Sequence, residues 1–376
     1  MTTDPLTLPG IRLNLQLHAV HLENERTAAP SPVVRLAAGK PLSLVDNLMS
    51  TLLGLCPAAH RAAFAFAAQA AQQENSSYKE GESVAASLEA ARQAARIEAI
   101  LETVRVLLFD LPQKTRTARL SAEALRTLGA LRGEVAANDS DGAASEDRLR
   151  DVLRTLRNEH RAVLDNLLLR YNDFRLVTPG NPRTLLALSR VSDEQLSQWG
   201  NDLLAGRLEA PYAAVPGALA REAARTGTWR PIRPRDLVAA RIAEWDRWLS
   251  EGATELGAVR ALTLPPREVN GDIVYRGVAA LETARGMLTV AVSLTGDAGS
   301  ERVVKLGVLA PTEWSMRQDG IVTHWLKEIL ENHYGGAGLT SGVPSILGAF
   351  DPCTNIHYEG LFDDEIVARS EGRTHA

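Results

Sequence analysis

Both ends of the chain alternate apolar and polar residues, whereas the middle repeats its apolar residues with helical spacing. The stretch 11–22, IRLNLQLHAVHL, has a period of two and predicts a strand, and PVVRL at 32–36 predicts a second strand after a polar turn. GMLTVAVSLTGDAGSERVVKLGVLAP, at 286–311, predicts a β-hairpin with strands near 287–294 and 302–309. Short β segments are therefore expected near both ends of the protein.

Between these segments, apolar residues recur every three or four positions, which predicts a body of amphipathic helices. The predicted helices cover 43–55, 57–73, 80–111, 120–135, 148–171, 184–206, 215–226, 237–256 and 321–331. Polar, proline-rich or glycine-rich stretches predict the loops and turns 136–147, 178–183, 228–236, 264–272 and 334–342. The expected fold class is α+β and mainly helical.

The order of these segments predicts one domain that spans residues 1–376, since a chain of this length can bury a substantial core. Its parts are an N-terminal β segment, a helical body, a section with the β-hairpin, a helix and a C-terminal cysteine motif, and a tail. The N-terminal β segment covers 1–42 and the helical body 43–262. The section with the β-hairpin, helix and cysteine motif covers 273–360, and the tail covers 361–376.

Composition excludes several classes of partner. The chain has 41 Lys and Arg against 46 Asp and Glu, a formal net charge of -5, and only 5% aromatic residues, so neither nucleic acid nor an anionic membrane is an expected partner. No window has the roughly 18 apolar residues of a membrane span, and the N-terminus shows no signal peptide. We therefore expect a soluble, cytoplasmic protein with no membrane insertion and with reduced thiols.

The candidate functional residues are two cysteines, each followed four residues later by a histidine. They are Cys56 and His60 in LLGLCPAAH, and Cys353 and His357 in SILGAFDPCTNIHYE. The residues alone allow two inert thiols, a four-ligand zinc site if the segments meet, or a redox or nucleophilic cysteine. A helix beginning at Pro57 would also point free backbone N–H groups at Cys56, which would lower its pKa.

The C-terminal motif carries a resemblance to a known family. Asp351, Pro352 and Cys353, preceded by Phe350, match the start of DPCxxCxxH, a motif of the large subunits of nickel–iron hydrogenases. The chain is most similar to their catalytically degenerate relatives, the HupK/HoxV family of hydrogenase accessory proteins, over 1–75 and 275–360. In this register the second cysteine is replaced by Ile356 and the terminal histidine by Glu359, and His357 is out of register.

The N-terminal motif of the family, RxCGxCxxxH, is also kept only in part. Thr51 and Leu53 stand at the arginine and first-cysteine positions, whereas Gly54, Cys56 and His60 match.

Three further segments resemble the family. GVAALETARGML places Arg285 where the enzymes have an arginine over the diatomic ligands of the iron, with Val290 at a histidine position. LAPTEWS resembles APTxWN, with Ser315 in place of asparagine. TLPGIR corresponds to the segment of the proton-transfer glutamate, with Pro9 at the glutamate position.

The resemblance implies a hydrogenase large-subunit-like helical core and an accessory function. In the enzymes, four thiolates hold nickel and two of these bridge to an iron that carries cyanide and carbon monoxide. This chain keeps Cys56 and Cys353 and has no second pair, so no stable nickel site and no hydrogenase activity are expected. The implied cargo is a transient Fe(CN)2(CO) unit, assembled or held here before transfer to the true large subunit.

The same resemblance suggests partners and supporting residues. The partners would be the maturation chaperones and iron-carrier complex, with the large-subunit precursor as a further candidate. The supporting residues around the cysteines are His60, Arg285, Asp351, Pro352 and His357. Because Glu359 replaces the histidine after which precursors are trimmed, no maturation cleavage is expected.

Two other functional classes stay open at this point. One is a divergent hydrogenase or other oxidoreductase; the other is a metal-free docking protein for maturation factors. Four of the supporting residues also have a structural interpretation: a turn for Asp351 and Pro352, a cap or packing role for His60, and an ion pair for Arg285. Thiol substitution separates the carrier from the docking protein, because a docking protein tolerates loss of the sulfur atoms.

Overall fold

A computed structural model of the chain shows a mainly helical α+β fold, as predicted. The residues it describes are 10–16, 19–25, 31–54, 56–74, 82–112, 126, 129–130, 142–172, 174–178, 185–228, 230–252, 255–297, 299–332, 337–354 and 356–360. Within these ranges no helix combines the length and the apolar character needed to cross a membrane.

The elements follow one another in three blocks: a short β segment, a long helical body, and a second β block followed by helices. The strands are β1 (Ile11–Gln16), β2 (Ala19–Asn24), β3 (Leu185–Leu186), β4 (Val215–Pro216), β5 (Val259–Val269), β6 (Asp272–Thr283), β7 (Gly286–Thr295), β8 (Arg302–Leu309) and β9 (Ile356–Gly360). The helices are α1 (Pro32–Ala37), α2 (Leu42–Leu52), α3 (Pro57–Gln72), α4 (Glu82–Arg105), α5 (Gly142–Glu159), α6 (Arg161–Asn172), α7 (Asp193–Ala205), α8 (Ala218–Thr226), α9 (Pro234–Glu251), α10 (Pro311–Ser315), α11 (Ile321–Asn332) and α12 (Ala337–Phe350).

A small sheet joins the two ends of the chain. β1 pairs with β2 in antiparallel orientation and with β9 in parallel orientation, so the strand order is β2-β1-β9. The period-two stretch 11–22 therefore belongs to a hairpin of two strands and not to one strand. The predicted second strand at 32–36 is wrong: Pro32 opens α1, whose Val33 and Ala37 are buried one helical turn apart.

The largest sheet consists of the consecutive antiparallel strands β5 to β8. The predicted hairpin is confirmed as β7 and β8. The predicted turn 264–272 is wrong, because all but Asn270 and Gly271, the turn between β5 and β6, lie in strands. Pro265 and Pro266 suggested a turn, but they coincide with a register shift in an edge strand, where proline is tolerated.

Helices cover both faces of this sheet. The alanine-rich helix α3 packs on one face and α7 on the other. A Cβ atom on Gly277 would overlap the carbonyl oxygen of Ala67, and one on Gly307 would lie 2.7 Å from Leu203 Cβ. These glycines therefore allow the two helices to approach the strands closely, which fixes the position of α3 and of Cys56 at its start.

Most predicted helices are present with shifted ends, and three predictions need correction. The predicted helix 148–171 is broken at His160 into α5 and α6. The predicted helix 184–206 starts with β3, which pairs with β4, and becomes α-helical only at Asp193. The predicted loop 334–342 belongs to α12 from Ala337 onwards, because buried Val343, Ile346 and Leu347 give that segment a core-facing stripe.

The segment between α4 and α5 is described only in part. The predicted helix 120–135 lies outside the described residues except for 126, 129 and 130, which are helical. The predicted loop 136–147 is outside them up to 141, and its remainder forms the first turns of α5.

The main hydrophobic core lies among the helices and is anchored by large buried side chains, including Trp245, Trp248 and Trp325. Five parts of the fold meet at its edge: the start of α3, the middle of α4, the turn between β6 and β7, α10, and the segment after α12. The residues of interest for function lie at this junction.

Candidate functional site

The structure brings together the two cysteines that lie at opposite ends of the sequence. Cys56 is the residue before α3, and Cys353 follows α12 after Asp351 and Pro352. The two thiol groups are hydrogen-bonded to each other, and both side chains are free of disulfides and partly buried. Two sulfur atoms from distant parts of the chain therefore lie next to each other.

The environment favours the thiolate form of Cys56. The hydrogen bond from Cys353 lowers the Cys56 pKa most strongly, and the positive charge of Arg285 lowers it further. Burial raises this pKa, as do the carboxylates of Glu98 and Glu102, but the net shift is downward. The thiolate is the metal-binding form of cysteine. The electrostatics of the site therefore favour Cys56 as a soft thiolate ligand for a metal ion.

The start of α3 differs from the sequence prediction in one respect. Glu98, on α4, accepts hydrogen bonds from the backbone N–H groups of Ala58 (3.0 Å) and Ala59 (2.9 Å). The prediction that these N–H groups are free to stabilise a Cys56 thiolate is therefore wrong. The negative charge of Glu98 also raises the pKa of Cys56. The carboxylate instead caps the helix and fixes its first turn beside the cysteine pair.

His60 is held in the same turn. It is buried, and its Nδ1 lies 2.9 Å from the backbone carbonyl oxygen of Cys56. Because a carbonyl oxygen only accepts, Nδ1 carries the proton in this hydrogen bond. His60 therefore fixes the backbone that carries Cys56, and its predicted supporting role in metal binding stays a prediction.

Arg285 connects the cysteine pair to α4 and to the C-terminal motif. Its Nε donates to the backbone oxygen of Asp351 at 2.9 Å and lies 3.0 Å from the Asp351 carboxylate, while Nη2 donates to Glu102 at 3.0 Å. Burial alone would lower the pKa of Arg285, but Asp351, Glu102, Cys353 and Cys56 raise it overall. A permanent positive charge is thus held beside the two sulfur atoms.

Asp351 shapes the segment that carries Cys353. Its φ of 49° lies in the left-handed region, which is uncommon for a residue other than glycine. Its N–H donates to the carbonyl oxygens of Leu347 and Gly348, and this closes the end of α12. With Arg285 holding both its carbonyl and its carboxylate, Asp351 turns the chain into Pro352 and Cys353.

Thr312, on α10, contacts Cys353 directly. Its Oγ1 lies 3.3 Å from the Cys353 sulfur and accepts a hydrogen bond from the Cys353 N–H at 3.4 Å. Because the amide uses the oxygen as an acceptor, the hydroxyl proton is available for the sulfur. Sequence reasoning did not select Thr312, Glu98 or Glu102, although the segment around Thr312 was noted for its resemblance to APTxWN.

The remaining predicted positions lie elsewhere. His357 is exposed on β9 opposite Arg12, so the structure does not place its side chain with the cysteine pair. Leu53 and Ile356, at the two positions where the family motif has further cysteines, pack against the hydrophobic clusters. Among the described residues, no three or more His, Cys, Asp and Glu side chains are close enough together to hold a metal ion.

These features define a class: the fold of a nickel–iron hydrogenase large subunit, with two thiols at the edge of its helical core. Similar solved structures include a variant of the NiFeSe hydrogenase from Desulfovibrio vulgaris Hildenborough, with a TM-score of 0.53 and 14% identity over 90% of this chain and 95% of that one. The NiFeSe hydrogenase from Dm. baculatum matches with a TM-score of 0.51 and 11% identity, over 90% and 94% of the two chains.

A similar protein by sequence is the hydrogenase expression/formation protein HupK of Bradyrhizobium diazoefficiens. It is 28% identical over 348 residues, which cover 86% of this chain and 88% of that protein. No protein-family model matches the chain. The predicted resemblance to a degenerate, large-subunit-like accessory protein is confirmed by this similarity together with the fold.

Proposed function

We propose that this protein is a hydrogenase maturation accessory protein on which an Fe(CN)2(CO) unit is assembled or held before its transfer to a hydrogenase large subunit. The observation that carries the proposal is the pair of hydrogen-bonded thiols of Cys56 and Cys353 beside the buried charge of Arg285. The similar protein HupK is a hydrogenase expression/formation protein, which supports an accessory function.

The donor set fits this cargo better than it fits a bare metal ion. Thiolates are soft ligands that suit iron with strong-field partners. A chain with two cysteines cannot supply the four thiolates of a nickel site, and the described residues offer no cluster of three conventional ligands. An iron unit that already carries three diatomic ligands needs few protein ligands, so two thiolates suffice.

The neighbouring side chains prepare the site for an anionic cargo. Two thiolates and two cyanides bring more negative charge than one ferrous ion neutralises, and Arg285 supplies a fixed positive charge next to both sulfur atoms. Glu102 and Asp351 hold Arg285 in place, and Thr312 directs its hydroxyl at Cys353. The chain thus orients the sulfur atoms and offsets charge without closing a complete coordination sphere.

Partial burial and a small ligand number favour release. Both cysteine residues are only partly buried, and we expect a partner protein to reach them. The proposed partners are the maturation chaperones, the iron-carrier complex and the large-subunit precursor. The protein itself acts as a scaffold and not as an enzyme.

Complementation tests the proposal in cells. We expect that Cys56→Ser and Cys353→Ser, introduced into a strain that lacks this protein, fail to restore hydrogenase activity. His357→Ala, which alters an exposed histidine away from the pair, serves as the control and restores it. Full restoration by both serine variants would identify a metal-free docking protein instead.

A further inference from the structure

The two cysteines of the chain also have a chemistry of their own, apart from metal binding. Cys56 and Cys353 are its whole supply of thiols, and both are free. Their side chains are hydrogen-bonded directly to each other, so no other side chain separates the two sulfur atoms. A disulfide requires two cysteines whose sulfur atoms already point towards each other. The pair is therefore placed for a covalent bond between its sulfur atoms.

Each cysteine is held by contacts from its own side of the site. The backbone at Cys56 is held by His60, and the first turn of α3 is held by Glu98. On the other side, Thr312 Oγ1 lies 3.3 Å from the Cys353 sulfur and accepts a hydrogen bond from the Cys353 N–H. Because these contacts come from different elements, the folded chain holds the two sulfur atoms together before any bond forms.

A small oxidant has a route to the pair. Both cysteine residues are only partly buried. Gly54, two residues before Cys56, is exposed, and a Cβ atom on it would meet no atom of the described chain within 4 Å. The backbone that leads into Cys56 therefore borders open space. Oxidation of the pair does not require the hydrophobic core to open.

We propose that Cys56 and Cys353 form a reversible redox site, in which a hydroperoxide such as hydrogen peroxide converts the two thiols into a disulfide and a dithiol reduces it again. The inference rests on the contact between the two thiols, on the separate elements that hold them and on their access to solvent. It adds a covalent modification to a site that is otherwise proposed to bind metal.

The reaction takes two steps. The sulfur of one cysteine attacks a peroxide oxygen, the O–O bond breaks, and one water leaves a sulfenic acid behind. The second sulfur then attacks the first, so that the S–S bond forms, the S–O bond breaks and a second water leaves. Two electrons pass from the thiols to the peroxide, and the two thiol protons end in the two water molecules. Arg285 holds a positive charge beside both sulfur atoms, which stabilises negative charge on sulfur during the exchange.

The disulfide would switch the proposed scaffold off. Its sulfur atoms are no longer thiolates, so the pair cannot bind a soft metal until a dithiol restores it. Formation of the disulfide is independent of the cargo. Its effect on an iron unit rests on the proposed function.

The first test uses the full-length, metal-free protein and hydrogen peroxide. After oxidation, the remaining free thiols are blocked with N-ethylmaleimide, and intact mass and peptide mapping are measured. We expect the loss of two hydrogen atoms, no maleimide adduct and a cross-linked peptide pair that contains Cys56 and Cys353. Dithiothreitol should restore two maleimide adducts. A product with oxygen atoms added to unlinked cysteines, or with disulfides between two chains, would overturn the redox site.

Two controls show whether the fold places the pair. Cys56→Ser and Cys353→Ser each leave a single thiol, so both should stop at the sulfenic acid. If a serine variant is unstable, the wild type unfolded in urea replaces it. Because loop closure across most of the chain is then needed, the unfolded protein should form about tenfold less intramolecular disulfide in the same time. Equal yields in the folded and unfolded wild type would overturn the inference.

The second test examines the effect on the cargo. Protein purified anaerobically with its iron unit is treated with hydrogen peroxide, and infrared bands and thiol content are followed together. The cyanide and carbon monoxide bands should disappear as the disulfide appears. Bands that persist in the disulfide form would overturn the switch. Absence of bands before treatment would overturn the proposed function instead, and the mass measurement on metal-free protein would still decide the redox site.

Discussion

The two cysteines reach the same point by different physical means. Cys56 directly precedes α3, and the first turn of that helix is held by its own His60 and by Glu98 of α4. Cys353 follows the end of α12 and is fixed by tertiary contacts with Arg285, Asp351 and Thr312. The difference is that the N-terminal half of the site depends on the start of a helix, whereas the C-terminal half depends on a buried network of ion pairs.

Removing the clamp on the C-terminal half should have the largest effect. Arg285→Met removes the guanidinium group shared by the buried carboxylates of Glu102 and Asp351, which then keep only Arg105 and Arg241 as partners, and this should cost about 3–5 kcal/mol of unfolding free energy. Urea unfolding of the purified protein measures this loss. Arg285→Lys keeps the charge and should lose less; equal losses would mean that charge does not hold the segment.

Removing the helix cap on the N-terminal half should cost less. Glu98→Ala leaves the N–H groups of Ala58 and Ala59 without an acceptor, with an expected loss of about 1–3 kcal/mol in urea unfolding. Glu98→Gln keeps one acceptor oxygen and should lose only part of that amount. If Glu98→Ala were as costly as Arg285→Met, the contrast between the two halves would fail.

The thiol pair itself should produce the smallest effect, seen as a shift in pKa. Cys353→Ala and Cys353→Ser both leave Cys56 as the only thiol, but only serine can still donate a hydrogen bond to it. The pH profile of Cys56 alkylation should therefore lie at higher pH in Cys353→Ala. Identical profiles would show that the pairing does not lower the Cys56 pKa.

The same shift links stability to pH. Because the folded protein lowers the Cys56 pKa from its ordinary value of 9.0, the folded state loses this proton first as pH rises. Between the lowered pKa and 9.0, the unfolding free energy of the wild type should rise with pH relative to that of Cys56→Ser. This gain should disappear as the pH falls through the lowered pKa. Paired urea titrations across this range measure the difference, and a constant offset between the two proteins would contradict it.

The sequence predicted the parts of the fold that have a clear period. β7 and β8 follow from alternation around a polar turn, and α3 from its alanine-rich pattern after Pro57. β6 was missed because its sequence, DIVYRGVAALET, does not alternate polar and apolar residues. The segment 32–36 was misassigned because a short run of branched residues fits a strand locally, and only packing makes it helical.

Site residues that belong to a sequence motif were predicted, whereas those contributed by elements distant in sequence were missed. Cys56 and Cys353 were selected because they are the two cysteines of the chain, each followed four residues later by a histidine, and Arg285 came from the resemblance to a known family. Glu98 and Glu102 depend on which helix packs beside α3, which spacing does not reveal, although two glutamates one turn apart on an apolar stripe were a usable signal.

Infrared spectroscopy of the purified protein distinguishes an iron carrier from a docking protein. The wild type and the Cys56→Ser and Cys353→Ser variants are purified anaerobically from cells with an intact hydrogenase maturation system. The account predicts cyanide and carbon monoxide stretching bands in the wild type that both serine variants lack. A wild type without such bands that still co-purifies with maturation factors would contradict the iron carrier and leave a docking protein.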